Sequence, residues 1–408
     1  MKDKLDASQF GNQKGLSIQH YLIKVIHKIL TSLDNNSKGD AFAVIAALLY
    51  WKQAFNQEDP TLGIKSFQIN GVRPAFIPML INYFQGRQGY VKWKGKHSKK
   101  ESIHGGGPQG GFFGIISYLS QSNDNADMVD PEEKFKFVDD LTLLEIINLI
   151  LIGMSSFHVK NSVPSDIPNH NGYICPENLK TQQYLNKITN WTEEKKMKLN
   201  TEKSKIMIFN YTYNHQFTTR LELDKVNLEV VSDAKLLGTH ITNDLKWDLN
   251  THHLVKKGNS GMQLLRKIST FGASIEDMKQ IYTTFIRSVL ETSSSVWHKS
   301  LTRENEIDLE RIQKSAFRVI LGEKYISYEN ALFALGMETL KNRRESLFTT
   351  FTLKSLQVKQ MNTILKENMK TQTINTRTKV EQFKIDHTNT ERLRNSAGIQ
   401  MQITANRN

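Results

Sequence analysis

Two adjacent aspartates, Asp139 and Asp140, lie within an apolar stretch that constrains this chain more than any other part of its sequence. Residues 135–138 and 141–144 are β-prone runs on either side of the pair. The pattern predicts strand, tight turn, strand, with both carboxylates at the bend. Neighbouring side chains of a strand diverge, so only a turn can aim the two carboxylates at one ligand. Such a turn can hold Mg²⁺, which takes few protein carboxylates; a solvated acidic turn is the simpler alternative.

Charge and length indicate which class of protein to expect. The 408 residues suffice for two or three domains, and 38% are hydrophobic. A net charge of +13 favours a polyanionic partner, with nucleic acid ahead of a membrane surface. The single cysteine, Cys175, excludes an internal disulfide framework. The first twenty residues are polar, and no apolar run approaches the ~20 residues of a membrane span. We therefore expect an intracellular protein, nuclear or cytoplasmic, without a membrane or disulfide partner.

Three segments before the aspartates have readable patterns. Ser17 can cap a helix over residues 17–33, whose apolar positions keep a 3.6-residue period. Residues 41–50 are continuously apolar, which fits either a strand buried on both faces or a short buried helix. Residues 90–100 combine alternating apolar residues with five lysines and predict a basic hairpin. Its lysines form either a solvated face or a contact to nucleic acid.

A glycine-rich segment lies between this hairpin and the aspartates. Five of the nine residues from Ile103 to Gly111 are glycine, so the backbone there can approach another group closely. The segment lacks the Gly-Lys-Ser/Thr end of a phosphate-binding P-loop. Residues 104–107 match the oxyanion-hole motif of esterases, but residues 258–261 fall one short of the Gly-x-Ser-x-Gly elbow such enzymes need. The sequence therefore argues against a hydrolase.

The hydropathy pattern divides the chain into three parts. Residues 1–250 mix strand and helix patterns, and residues 251–350 have helical periodicity. Residues 351–408 are basic and poor in apolar residues, so we expect a loosely ordered tail, helical only when bound. The predicted fold class is α+β, followed by an all-helical region and the tail.

Five motifs follow one another in an informative order: residues 52–55, 107–110, 137–140, 199–203 and 236–238. Together they resemble the reverse transcriptases of non-LTR retrotransposons, the jockey-like group of animal mobile elements. The likeness covers roughly residues 8–350. It implies a right-hand polymerase palm with partial fingers, built on an antiparallel sheet with helices, and then a helical thumb and connection.

The resemblance implies catalytic roles for three residues. Such enzymes synthesise DNA on an RNA template, extending a DNA primer with deoxynucleoside triphosphates, and use two Mg²⁺ ions about 4 Å apart. Asp139 and Asp140 match the metal-binding carboxylates. Lys203 matches the lysine that neutralises or protonates the leaving pyrophosphate.

It also implies a substrate pocket. Phe55 matches the aromatic residue that blocks a 2′-hydroxyl and so selects deoxynucleotides. The glycine-rich block is matched by Pro108, Gln109 and Gly110, which would line the nucleotide pocket. Residues 237–238 match the hairpin that grips the primer.

One position departs from the family. Its first block places a metal-binding aspartate where this chain has Tyr50. A tyrosine has a pKa near 10, so it is neutral at pH 7 and offers Mg²⁺ no charge. Asp40 lies at the far end of the apolar run, and Glu58 and Asp59 lie beyond Phe55, so we predict no local substitute.

The sequence leaves three alternative functions open. The family's opening finger segment and its endonuclease domain have no match, which implies an N-terminally truncated copy of a mobile element. The chain is then a reverse transcriptase crippled by Tyr50, or a catalytically dead remnant that binds nucleic acid. A helical interaction protein without a nucleic-acid role is the third alternative, and the charge and the motif order argue against it.

Overall fold

In the computed structural model, the chain forms two compact units whose segments alternate along the sequence. Unit 1 comprises Met1–Leu16, Ala43–Ile208 and Thr212–Val231, and unit 2 comprises Ser17–Phe42, Phe209–Tyr211 and Ser232–Asn408. The three-part division at residues 250 and 350 stays a prediction. The structure describes residues 5–34, 41–103, 105–107, 112–150, 173–213, 217–365, 369–375, 378–383 and 385–407.

Strands and helices are numbered in chain order. The strands are β1 Phe42–Leu49, β2 Gln88–Gly89, β3 Lys92–Trp93, β4 Lys96–His97, β5 Glu101–Ser102, β6 Lys134–Phe137, β7 Asp140–Asn148, β8 Lys205–Asn210, β9 Glu222–Leu223, β10 Val226–Asn227, β11 Glu229–Val231, β12 Asp233–Leu236, β13 Thr239–Thr242, β14 Met369–Asn375 and β15 Thr378–Phe383. The helices are α1 Ile18–Asp34, α2 Pro60–Ile69, α3 Ile77–Phe84, α4 Phe112–Gln121, α5 Lys180–Lys195, α6 Asp248–Thr270, α7 Ile275–Ile281, α8 Ser288–Leu290, α9 Ser294–Trp297, α10 Arg303–Leu321, α11 Tyr328–Ala334, α12 Leu340–Ser355, α13 Asn362–Leu365, α14 Glu391–Arg394 and α15 Ala397–Arg407.

Unit 1 is built around a five-stranded sheet with the strand order β11-β8-β1-β7-β6. The apolar run that fitted either a strand or a helix is the central strand β1, and it is buried from its second residue to its last. A strand covered on both faces needs apolar residues at every position, which explains the absence of alternation.

The sheet is mixed, although an antiparallel sheet was predicted. β6 and β7 are antiparallel and pair Phe137 with Asp140. β8 and β11 are parallel and pair Lys205 with Glu229, so the prediction is wrong for these two strands. Parallel neighbours need a connection that returns the chain to the starting end of the first strand. The β9–β10 hairpin lies on that connection.

Three helices of unit 1, α2, α3 and α4, lie near the candidate site in sequence, and α2 packs against both of the others. Asp59 caps α2 by accepting hydrogen bonds from the backbone N–H groups of its first turn, and Pro60 occupies the first helical position. Asn70, at the end of α2, donates its side-chain amide to the Ser120 hydroxyl of α4 at 2.9 Å. Helix α4 begins directly after the glycine-rich segment, in an apolar run.

Unit 2 is mainly helical in the part that the structure describes. Helix α6 packs against α10, and Gly258 of α6 faces Ile312 of α10. A Cβ atom on Gly258 would come within 3.3 Å of the Ile312 side chain and 3.1 Å of Leu290. A side chain at this position would require the Leu290 and Ile312 side chains to shift by a few tenths of an ångström. The helical pattern predicted from Leu254 onward is confirmed.

The C-terminal segment differs from the predicted loose tail. Helices α14 and α15 pack against α1, and Ile399 and Met401 are fully buried. The carboxylate of Asp34, at the end of α1, accepts hydrogen bonds from the backbone N–H groups of Asn389 and Thr390, both at 2.8 Å. A few well-placed apolar residues are enough to order a segment whose average composition is polar. No helix among the described residues is long and apolar enough to cross a membrane, and the single cysteine, Cys175, forms no disulfide within the chain.

Candidate functional site

The Asp139–Asp140 turn closes the β6–β7 hairpin, as the sequence predicts. Phe137 pairs with Asp140, so Val138 and Asp139 form a two-residue turn. Val138 has a φ of 57°. A β-branched residue is strained in this left-handed region, and such strain persists only where the surrounding structure enforces it. Asp139 lies in the turn and Asp140 begins β7, so the two carboxylates need not point to opposite faces.

The N-terminal segment of unit 1 enforces that turn. Gln9 accepts hydrogen bonds through its side-chain oxygen from the backbone N–H of Gly11 at 2.8 Å and of Val138 at 2.9 Å. The N–H of Phe10 donates to the carbonyl of Lys136 at 2.8 Å. A Cβ atom on Gly11 would lie 2.5 Å from Val138, so glycine is required where the segment passes over the turn.

A buried ion-pair group attaches the same segment to β6. The ammonium groups of Lys134 and Lys136 lie 2.9 Å and 2.7 Å from one carboxylate oxygen of Asp6. Burial alone would raise the pKa of Asp6, but Lys136 and the other hydrogen bonds hold it far below its usual range. Burial also lowers the pKa of Lys136, and the charge of Asp6 partly offsets this decrease. Because these three charged groups pair with one another, we assign them the structural role of attaching the N-terminal segment to β6.

Tyr50 is a neighbour of the aspartate pair. It follows directly on β1, and β1 lies beside β7, which begins at Asp140. Burial raises the pKa of Tyr50 to about 12, and the charge of Asp140 contributes. Burial raises the pKa of Asp140 to about 7, with a further contribution from Asp139. Burial also raises the pKa of Asp139. The site is thus a half-buried carboxylate pair beside a phenol that stays neutral at physiological pH.

Lys203 lies on a turn that is hydrogen-bonded to Tyr50. The Tyr50 carbonyl accepts from the N–H of Asn200 at 2.7 Å, and the Tyr50 N–H donates to the Ser204 hydroxyl at 3.1 Å. The N–H of Lys203 donates to the side chain of Asn200 at 3.1 Å, and the Lys203 side chain is exposed. The structure thus brings the segment of the predicted lysine to the end of β1.

Phe55 lies in a short 3₁₀ turn, Ala54–Asn56, that is held by the glycine-rich segment. The N–H of Gly107 donates to the carbonyl of Phe55 at 2.7 Å, and the N–H of Gly106 donates to the carbonyl of Glu58 at 2.8 Å. The Phe55 ring packs on Tyr118 of α4 with 4.8 Å between ring centroids. The close backbone approach predicted from the glycines is therefore confirmed, and its target is the turn that carries Phe55.

Two residues that sequence reasoning did not select lie in this cluster. Glu58 is 1% exposed, and its carboxylate accepts a hydrogen bond from Ser117 of α4. Burial raises the pKa of Glu58 to about 7. Tyr118 is fully buried, and its pKa is raised first by burial and then by Asp139, Asp140 and Glu58. All three carboxylates therefore act on the Tyr118 hydroxyl electrostatically. Neither residue has a local sequence signal, because burial of a polar side chain depends on tertiary packing.

Pro108, Gln109 and Gly110 lie outside the described residues. Leu237 and Gly238 form the turn of the β12–β13 hairpin in unit 2, with φ angles of 47° and 87°. Their proposed contact with a primer stays a prediction, as do the roles of Phe55 and Lys203.

The donor set suits one hard cation better than two. Among the described residues, no three His, Cys, Asp or Glu side chains are placed to hold a metal together. Asp139 and Asp140 supply two carboxylates whose mutual repulsion a divalent cation would relieve. Mg²⁺ commonly uses one or two carboxylates and completes its shell with water and phosphate oxygens. The pair therefore fits one such ion, and Tyr50 adds no charge for a second.

Comparisons with known proteins give weak structural matches. No protein-family model and no curated protein matches the chain. Among solved structures, it is similar to the telomerase from Candida albicans in complex with a TWJ fragment of telomeric RNA, at 10% identity over 88% of this chain and a TM-score of 0.38. It is also similar to the apo telomerase from Candida tropicalis, at 12% identity over 86% of this chain and a TM-score of 0.39. The chain spans 55% of the length of each of these proteins. Scores below 0.5 at such identities do not define a common fold.

Proposed function

We propose that this chain is a reverse-transcriptase-type palm that binds an RNA template paired with a DNA primer, and whose nucleotidyl transfer is crippled at Tyr50. The observation that carries the proposal is the adjacency of Tyr50 and the Asp139–Asp140 turn on neighbouring strands of one sheet. This is the arrangement expected if Tyr50 occupies the position of a third metal-binding carboxylate. The motif order in the sequence supports the same assignment.

The aspartate pair would bind the cofactor. Asp139 and Asp140 would hold Mg²⁺, which in this chemistry lowers the pKa of the primer hydroxyl and neutralises phosphate charge. Tyr50 is adjacent but stays protonated, because burial and Asp140 both raise its pKa. It therefore cannot supply the missing negative charge, and we propose that one of the two expected ions is held poorly or not at all.

The aromatic pair and the exposed lysine would bind the nucleotide. Phe55 packs on Tyr118 beneath the glycine-rich segment, so a rigid ring could exclude a 2′-hydroxyl. Pro108, Gln109 and Gly110 continue that segment in sequence and would line the pocket for a deoxynucleoside triphosphate. Lys203, on the turn attached to Tyr50, would contact the phosphates.

We further propose that the chain derives from a non-LTR mobile element and acts inside the cell, where its RNA and DNA partners occur. A second candidate function is a remnant that binds nucleic acid without catalysis. The two-carboxylate donor set favours it, since transfer by two metals needs more ligands than the described residues bring together.

Binding to an RNA–DNA hybrid tests the part that both functions share. A blunt hybrid of about 20 base pairs should bind with an affinity that falls steeply between 50 and 200 mM salt, because neutralised phosphates release counterions. Fluorescence anisotropy at several salt concentrations measures this. The absence of binding at low salt, or equal affinity at both salt concentrations, would contradict the proposal.

A further inference from the structure

The basic hairpin predicted from the sequence is a projecting arm of unit 1. β3 pairs with β4 at its tip, and β2 pairs with β5 at its base. Lys94 and Gly95 make the turn, both with positive φ. Residues 90–100 contain five lysines and no acidic residue. Every residue of β3 and β4 is exposed.

Aromatic rings alternate with these charges. Trp93 is 73% exposed and Tyr90 is 53% exposed. The chain has five tryptophans, all within the described residues, and the other four are at most 7% exposed. Trp93 and Lys96 are cross-strand partners, so their side chains share one face of the arm. An isolated two-stranded arm gains nothing in stability from an exposed indole ring, whose apolar surface stays in water.

A bulge concentrates charge on the second strand. Gly89 pairs with Glu101, while the N–H of Ser98 donates to the carbonyl of Val91 at 2.9 Å. Tyr90 therefore lies opposite two residues, Lys99 and Lys100. The second strand therefore has one residue more than the first in this segment and carries two adjacent lysines there. The Tyr90 ring contacts His97 edge-on, with 4.9 Å between the ring centroids.

The base of the arm is joined to the candidate site. The N–H of Ile103 donates to the carbonyl of Arg87 at 2.8 Å, and the Arg87 guanidinium donates to the carbonyl of Gly105 at 3.2 Å. A cavity of about 550 Å³ lies at this junction, lined by Asn56, Arg87, Gln88, Ile103 and residues 105–107. Asn56 adjoins Phe55, so this cavity lies between the base of the arm and the turn that carries Phe55.

We propose that the arm binds single-stranded nucleic acid, with Trp93 stacking on a base and the lysines contacting the phosphates on either side. The proposal rests on the function proposed above, because it names where the unpaired strand would lie. Stacking platforms flanked by cations are the general solution for binding a single strand, since every base has a flat face. A protein partner would instead favour a mixture of charges and a larger apolar surface.

Two oligonucleotides, U20 and dT20, test the proposal on the full chain. Trp93→Ala should weaken binding of at least one of them about tenfold, and Trp93→Phe should retain most of the affinity. Phe271→Ala is the matched control, because Phe271 is 86% exposed, and it should leave affinity unchanged. Iodide quenching gives a second readout: the exposed Trp93 should be quenched in the free protein and protected when the strand is bound.

The outcomes separate this proposal from the function on which it rests. If the single strands bind but Trp93→Ala binds them as well as the unmodified chain, the arm is not the site, whereas binding of the blunt hybrid still supports the function. If neither strand nor hybrid binds, both proposals fail. If the arm instead binds vesicles containing phosphatidylserine in a Trp93-dependent way, and no oligonucleotide, it is a membrane contact and the proposal is overturned.

Discussion

Glu58 is the residue whose chemistry depends most on the fold. Its carboxylate is buried against Ser117 and beneath Gly107, where an added Cβ atom would lie within 2.2 Å of the second oxygen. Burial raises its pKa from 4.5 to about 7. The folded state therefore binds a proton there that the unfolded state releases between pH 4.5 and 7. The stabilisation from Glu58 protonation is fully present below pH 4.5 and is lost as pH rises through 7.

We expect Glu58→Gln to stabilise the protein at pH 8 and to have little effect at pH 5. Glutamine keeps an oxygen that can accept from Ser117 but carries no charge to bury. The rise of the pKa from 4.5 to about 7 bounds the gain at about 3 kcal/mol. Thermal unfolding of both proteins across pH 5–8 measures the effect. A gain that does not grow with pH would contradict the buried, proton-binding carboxylate.

The neighbouring Asp59 provides a matched control, because its pKa is lowered in the folded protein whereas that of Glu58 is raised. Burial alone would raise its pKa, but hydrogen bonds from Lys196 and from the N–H groups at the start of α2 lower it. Its contribution to stability is present above the unfolded pKa, near 3.8, and is lost as pH falls through the lower folded value. Asp59→Asn should therefore cost stability at pH 8, while asparagine preserves the helix cap.

Single-residue roles were only partly predictable. The aspartate pair was recognisable because two carboxylates between β-prone runs have a local pattern. The sequence gives no sign that α4 covers Glu58. Its burial and its raised pKa could therefore not be predicted. The resemblance placed Tyr50 beside the aspartates, and the order of strands β1 and β7 agrees with that placement.

At the scale of elements, the strained β6–β7 turn is the feature most open to test. Val138 has a φ of 57°, which costs a β-branched residue about 1–2 kcal/mol, whereas asparagine tolerates this region. We expect Val138→Asn to raise the free energy of unfolding by about 1 kcal/mol, measured by denaturant titration. Val230→Asn, at an exposed position of β11, is the control and should be neutral or destabilising. Equal effects of the two changes would mean that the turn is not strained.

Strong periodicity made some elements predictable and left others open. The basic arm, α4 and the β6–β7 hairpin follow from alternation and apolar runs. β1 could not be told from a buried helix, since continuous burial removes the alternation. The parallel β8–β11 pair was missed because pairing direction depends on the long connection between the strands, whose path has no local pattern.

At the scale of the molecule, the two units interleave three segments each. No single boundary in the sequence separates them, so a division by hydropathy pattern could not find them. The ordered C-terminal helices also depend on distant partners in α1, through Asp34 and the buried Ile399 and Met401. The net charge of +13 is the whole-chain property that indicates a class of partner to test.

Primer extension on an RNA template with Mg²⁺ tests the central claim most directly. Loss of one metal ligand is expected to remove about 4 kcal/mol of transition-state stabilisation, roughly a thousandfold in rate. The unmodified chain should therefore extend the primer at or near background, and Tyr50→Asp should recover measurable extension. Tyr50→Asn is the control, because it changes size without adding charge, and it should stay at background. Robust extension by the unmodified chain that Asp139→Ala abolishes would show that another group supplies the third carboxylate and would contradict the account.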